Sequence, residues 1–379
     1  MLQEADDDVP LGEGRASILV AAATQLKKSG DYDQARALLE GADRDADEGA
    51  AMLYVGLLDR LDDHVAMQAT VSDMVRQLSP ARTPSPAYLA FLLRQAERAC
   101  IDVSLIAEAL EFSKPRAPGA AFLHLAYPAV RRRQHYRLRR AALAERATII
   151  SLGMHCLPWT LLNRWGFRTP AQFIEDFNPF CLAIHKISGI TDALKTDFAT
   201  YAAPDEIMVV KSALGHPVAL RRDRTAIWNH NQGAFWMQDE CAILRANMNA
   251  KIANFRRTCR TEAPVFLIGN CLDDYPKIEL KFLPALKDAL QAATGRPRNR
   301  LIITNQRAAP PGEKIFHIDD DTSFVYCPYP DKSYIWFDSK SVDSAAGLAY
   351  ELDYVKSLFR CLRRWELTDQ PRDIPAVAA

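Results

Sequence analysis

Across residues 16–110 apolar side chains recur three and four positions apart; past residue 147 that period gives way to short apolar runs interleaved with helical stretches. Two periods in one chain demand two kinds of packing, because a helix buries a stripe along its axis and a strand buries alternate residues. The first part therefore reads as stacked antiparallel helices and the second as an α/β unit. A chain of 379 residues is long enough for both.

The first helical pair is explicit. It runs from Ile18 to Leu39, with Gly30 placed to close one helix, Asp31 to cap the next and Ala35 small enough to let the two approach. The Gly30-Asp31-Tyr32 turn followed by Ala35 resembles a tetratricopeptide repeat. Residues 47–60 with 63–78, and 86–99 with 103–112, have the lengths of two further pairs without that turn. Such arrays present a concave surface, so residues 14–112 are expected to offer a site for a protein or peptide partner, or else to cover the second domain as a plain bundle.

Residues 113–119 are rich in proline and polar residues and break the array. The following helical piece carries Arg131, Arg132, Arg133, Arg137, Arg139 and Arg140, expected to offset the acidic N-terminal repeats, with contact to phosphates or an acidic partner as the alternative. This makes residues 113–146 a linker with a basic helix. The chain as a whole has 47 basic and 47 acidic residues, so no global field draws it to nucleic acid or an anionic membrane. Oligomeric state is not readable.

Strands are expected at 147–152, 207–210, 225–228, 265–268, 301–304 and 314–318, and helices at 158–165, 233–257, 281–293 and 345–362. Their interleaving points to one α/β domain with a central sheet over 147–365, ending in a polar tail at 366–379. In the longest helix Cys241, Leu244, Met248, Ile252 and Phe255 form one face, which makes Cys241 core filling.

The chemistry-bearing feature is Cys156, at the junction of an apolar run (Ile149-Ile150-Ser151-Leu152) and an amphipathic helix. Amides in a helix's first turn favour a thiolate, the reactive form of cysteine. A thiol nucleophile also needs a base and a group to orient that base. The downstream histidines are His185, His216, His230 and His317. His230 is preferred because Asn229-His230-Asn231 reads as a loop after a strand, where catalytic residues concentrate. The orienting group is ranked Asn270, then Asn305, then Asp319, each at the end of an expected strand.

Ile150-Ser151-Leu152-Gly153-Met154-His155-Cys156, then Leu161-Leu162-Asn163-Arg164-Trp165-Gly166-Phe167-Arg168, Asn178-Pro179-Phe180, Asp192 to Phe198 and Trp228-Asn229-His230-Asn231 resemble, in order, a bacterial family of papain-like cysteine peptidases. The likeness covers residues 147–303. It implies a cysteine hydrolase or acyltransferase in which Cys156 attacks an acyl carbon and His230 shuttles the proton. Two positions depart from the family: Cys181 stands where Pro-Phe-Asp-Trp has its acid, and Asn231 where His-Asp has its own. Asn231 can still orient a histidine, as in a Cys-His-Asn triad. The alternative is a non-catalytic interaction protein whose Cys156 is simply packed.

Other constellations carry less. His317-Ile318-Asp319-Asp320-Asp321 reads as a solvated turn, since adjacent acids point different ways. Neither a P-loop nor a dinucleotide fingerprint occurs, the elbow pattern around a hydrolase serine is missing at Ser151, and Asp338 reads as a helix cap. No cofactor or metal is expected. Eight scattered cysteines, the lack of a secretory leader pattern at the acidic start and the lack of a membrane-length apolar run lead to the expectation of a cytoplasmic protein.

Overall fold

The structure is a computed structural model that describes residues 15–44, 46–78, 84–101, 129, 133, 147–212, 215–270, 280–306 and 314–368. Five helices come first: α1 (Arg15–Ser29), α2 (Tyr32–Glu40), α3 (Glu48–Arg60), α4 (His64–Arg76) and α5 (Pro86–Arg98), each packed on the next in sequence. Their starts follow capping chemistry. Asp47, Asp63 and Ser85 accept hydrogen bonds from the backbone N–H groups of Ala50, Ala66 and Tyr88. Asp31 stands at the corresponding position of α2 but makes no such cap, because its carboxylate accepts from Ser29 Oγ at 2.6 Å instead. The expected helix over 103–112 and most of the basic linker lie outside the described residues.

From Thr148 onward the chain is mixed α/β. The elements are β1 (Thr148–Ser151), α6 (Leu157–Arg164), α7 (Pro170–Glu175), β2 (Ile184–His185), α8 (Ile187–Lys195), β3 (Ile207–Lys211), β4 (Pro217–Arg221), β5 (Ala226–Gln232), α9 (Ala234–Thr258), β6 (Pro264–Asn270), α10 (Leu283–Thr294), β7 (Arg300–Asn305), β8 (Ile315–His317), β9 (Thr322–Tyr326), α11 (Ser339–Val342) and α12 (Ala345–Arg364). The expected sheet is present, in the order β1-β6-β7-β9-β8, parallel except for its edge strand β8. Beside it stands a second, antiparallel sheet, β2-β5-β4-β3, which the sequence reading did not separate.

The parallel sheet is covered on both faces, and its strands accordingly read as near-continuous apolar runs. Ile149, Val265, Leu267 and Ile302 face Leu157, Leu161, Tyr354, Leu358 and Phe359 of α6 and α12. The alternate residues Ile150, Phe266, Ile268, Leu301 and Ile303 belong to a larger core with Met248, Ile252 and Phe255 of α9 and with the N-terminal helices. Leu57, Leu89 and Leu92 are wholly buried in that same core, so the helices and the sheets share one apolar interior. The stripe expected on α9 is buried as read, although its backbone leaves right-handed helical geometry at Gln238–Cys241.

Charged groups reinforce this union. Arg133 is fully buried and donates to both carboxylate oxygens of Glu97 on α5, at 2.9 and 2.8 Å, and to Asp343 at 2.9 Å. For this one described arginine of the basic cluster, the partners are indeed acids, one of them on the N-terminal helices. At the other end of the chain, Leu367 and Thr368, read from sequence as the start of a polar tail, are buried.

Candidate active site

The parallel sheet brings the ends of β1, β6, β7 and β9 to one edge, and the segment Leu152–Cys156 leaves β1 there. Gly153 has φ +85°, and its carbonyl accepts the N–H of Gly269 at 2.8 Å. The Gly153–Met154 peptide is cis. Cys156 follows as the residue preceding α6, with its side chain 3% exposed.

Several residues of the family-like motifs brace this corner. Asn178 Nδ2 donates to the Ser151 carbonyl at 3.1 Å, and Asn178 Oδ1 accepts from Phe180 N–H at 2.9 Å. Arg168 donates to Asn163 Oδ1 and to the Ile149 carbonyl, both at 2.9 Å, and its guanidinium lies 4.0 Å from the centre of the Trp159 ring. Burial pushes the Arg168 pKa down, and burial likewise raises that of Asp176, 3.9 Å away. Cys181, at the position of the missing acid, sits in this corner as a packed thiol. Burial pushes it up to about 12, and its sulfur accepts from Asn178 N–H.

Of the four candidate bases, the fold brings His230 to the thiol: Cys156 Sγ and His230 Nε2 are 3.4 Å apart. His230 is not in a loop as expected but inside β5, which continues through the polar residues to Gln232. The polar run does not end the strand because the His230 and Asn231 side chains meet groups on other elements, Cys156 and Asp62, rather than solvent. His230 is held down to about 4, by burial first and then by the positive charges of Arg60 and Arg98, with Asp59 and Asp62 opposing. It is therefore a neutral ring at neutral pH and can accept a proton.

The other histidines are committed elsewhere. His185 Nε2 pairs with Tyr201 Oη at 2.7 Å, and burial pushes its pKa down to about 3. His216 lies in the turn between β3 and β4. His317 lies on β8, at the opposite edge of the sheet from β1. His155 is buried beside Cys156, its Nδ1 accepting the N–H of Leu157 at 3.2 Å. Since Pro158 has no N–H, two of the first-turn amides expected to favour a thiolate are not available to Cys156.

The orienting groups fare differently. Asn270 ends β6 in register with Asn305 on β7, and its side chain lies outside the described residues. Asn305 is 1% exposed, and its carbonyl takes the N–H of Cys327 at 2.6 Å. Asp319 is misplaced for the role. It precedes β9, at the starting ends of the parallel strands rather than the ends where Cys156 lies, and pairs with Lys287 at 2.5 Å, while Asp320 and Asp321 pair with Arg298. Asp338 caps α11, accepting from Ser341 N–H, as its context indicated.

What the sequence reading missed entirely is Asp62. This residue, in the turn between α3 and α4 with φ +53°, reaches across to β5 and α9. Its Oδ2 accepts from Asn231 Nδ2 at 2.7 Å and from Lys251 Nζ at 2.8 Å, and its Oδ1 lies 3.8 Å from His64 Nε2. Burial opposes its ionisation, but Lys251 and His64 outweigh that and hold its pKa below the usual carboxylate range. The only signal was a dense charge cluster, Asp59-Arg60-Leu61-Asp62-Asp63-His64, between two helices.

No protein-family model, curated protein or solved structure matches the chain.

Proposed function

We propose that the chain is a cysteine-dependent hydrolase or acyltransferase, similar to papain-like peptidases, with Cys156 as nucleophile and His230 as its base. The observation that carries this reading is the 3.4 Å approach of Cys156 Sγ to His230 Nε2, between side chains 74 positions apart in sequence. His230, neutral at pH 7, takes the thiol proton as Sγ bonds to the acyl carbon. The resulting imidazolium returns that proton to the leaving group as the acyl–enzyme forms. Water, or a second nucleophile in a transferase, then releases the acyl group and restores the thiol. The N-terminal helices would hold a protein or peptide partner, and a cytoplasmic setting suits seven described cysteines that are all unpaired.

Two observations favour the alternative of a non-catalytic interaction protein. Cys156 is 3% exposed, and the amide of Asn231 donates to Asp62 instead of bonding the His230 ring directly. Iodoacetamide labelling separates the readings. In the catalytic one, native Cys156 reacts faster than free glutathione at pH 7 and loses that advantage in His230→Ala. A Cys156 no faster than glutathione, and indifferent to His230→Ala, rejects it.

A further inference from the structure

The N-terminal helices do not merely adjoin the thiol site; they supply part of its interior. Asp62 is 3% exposed at its side chain, and so is held away from water among Asn231, Lys251 and His64. Each partner comes from a different element: Asn231 from β5, Lys251 from α9 and His64 from α4. The His64 ring in turn packs on Phe173 and Phe177 at 4.9 and 4.4 Å, and Lys251 Nζ lies 4.5 Å from the Phe177 ring centre. A second bond ties the same turn to the following helix, as Trp236 Nε1 donates to the Arg60 carbonyl at 3.0 Å.

Asn231 is the residue immediately after His230. Val218 and Leu220 of β4 pair with Gln232 and Ile227, so β5 bulges across His230 and Asn231, and the bond from Asn231 to Asp62 anchors this irregular stretch next to His230. A buried ionic cluster adds little net stability, because its desolvation cost largely cancels its attraction, while removal of one member leaves the others buried without a partner. Asp62 also lends negative charge near His230 against the positive charges of Arg60, Arg98 and Lys251, with Asp59, His64 and the Cys156 thiol also close by.

We infer that Asp62 is a positioning residue of the thiol site: through Asn231 it holds β5 so that His230 projects toward Cys156, which makes the N-terminal helices a working part of that site. This rests on the reading of Cys156 and His230 as the reacting pair.

The test uses the full-length chain with Asp62→Ala, Asn231→Ala and the corresponding double variant, each also combined with His230→Ala. Iodoacetamide alkylation of Cys156 is expected to slow by roughly ten- to a hundredfold in each single variant, the scale of a small misplacement of a reacting group. The two losses are expected not to add, and both to vanish when His230 is already alanine. A folded Asn231→Ala protein with a wild-type alkylation rate overturns the inference. So does a loss that persists at full size in the His230→Ala background. Should Asp62→Ala not fold, Asn231→Ala decides alone, since it leaves the Asp62–Lys251 pair intact. Should Cys156 prove indifferent to His230, the ¹⁵N spectrum of the His230 ring still decides. One tautomer in the wild type and a mixture in Asn231→Ala supports Asp62 as positioner, and an unchanged spectrum rejects it.

Discussion

A β-carbon placed on Gly30 would lie 2.7 Å from the Cα of Gly233, so the turn between α1 and α2 meets the end of β5 backbone to backbone. Gly30 has φ +85° and its carbonyl accepts the N–H of Phe235 at 3.2 Å. The sequence suggests only that Gly30 closes a helix; the same atom count also lets the helices seat against the strand that carries His230.

Gly30→Ala is therefore expected to destabilise the protein by about 1–3 kcal/mol, through overpacking against backbone that cannot swing away. The companion change Gly41→Ala, with nothing within 4 Å of the new carbon, is expected to shift stability by less than about 1 kcal/mol. Urea denaturation of the two variants checks both; equal effects would mean that the Gly30–Gly233 approach is not tight.

The pH dependence of thiol reactivity follows from His230. Its pKa is depressed to about 4, so the ring remains an unprotonated base from neutral pH down to that value and loses the role only below it. The difference in alkylation rate between wild type and His230→Ala is expected to hold steady from pH 7 to 5 and to collapse near pH 4. A collapse already at the ordinary histidine value, about 6.5, would show that the burial and the neighbouring arginines do not act on this ring.

Acid stability is governed by histidines that stay neutral when folded. Burial depresses His155 to about 4 and His185 to about 3. Unfolded histidine takes a proton below about 6.5, and the native rings do not. Their stabilising contribution is thus complete above that pH and is lost as pH falls toward the folded values. Each adds a slope of at most about 1.4 kcal/mol per pH unit inside its window. Replacing His155 with glutamine should flatten the slope between pH 6 and 4.5 by roughly that amount, measured by denaturation at several pH values.

Arg133 offers a test of the union between helices and sheets. Arg133→Met leaves Glu97 and Asp343 buried without their cation, and a loss of about 3–5 kcal/mol is expected. Adding Glu97→Leu and Asp343→Leu should recover much of it, since the whole cluster carries little net stability. Failure of the triple variant to recover would mark the cluster as essential to how the layers fit.

The elements with one strong period were legible. α6, α9 and α12 and the buried strands β1, β6 and β7 stand where their apolar spacing put them, within a residue or two. β3 and the short β8 also stand where they were expected, whereas β2, β4, β9 and the second half of β5 were not legible. β2 has two residues, β4 and β9 have five each, and β5 ends in four polar residues that break its apolar pattern. At the site, Cys156 was legible because a strand-to-helix junction has a local pattern, and His230 because of its company in the family-like motif. Asp62 was not, since a carboxylate that serves a strand 169 positions away leaves no mark on its own neighbourhood. Asn231 read as a substitute for an acid; the structure brings an acid to Asn231 from elsewhere in the chain.

Cys156 follows β1 of the parallel sheet, and His230 belongs to the antiparallel one. Their separation is not a property of either sheet, then, but a reading of the seam between them, like a feeler gauge set between two machine beds. Anything that slides one bed against the other by the width of a methyl group changes that reading without touching sulfur or imidazole. The alkylation rate of a single cysteine thereby becomes a strain gauge for the whole assembly, able to register a substitution in α1 or α5 that no probe at the sheets would be placed to see.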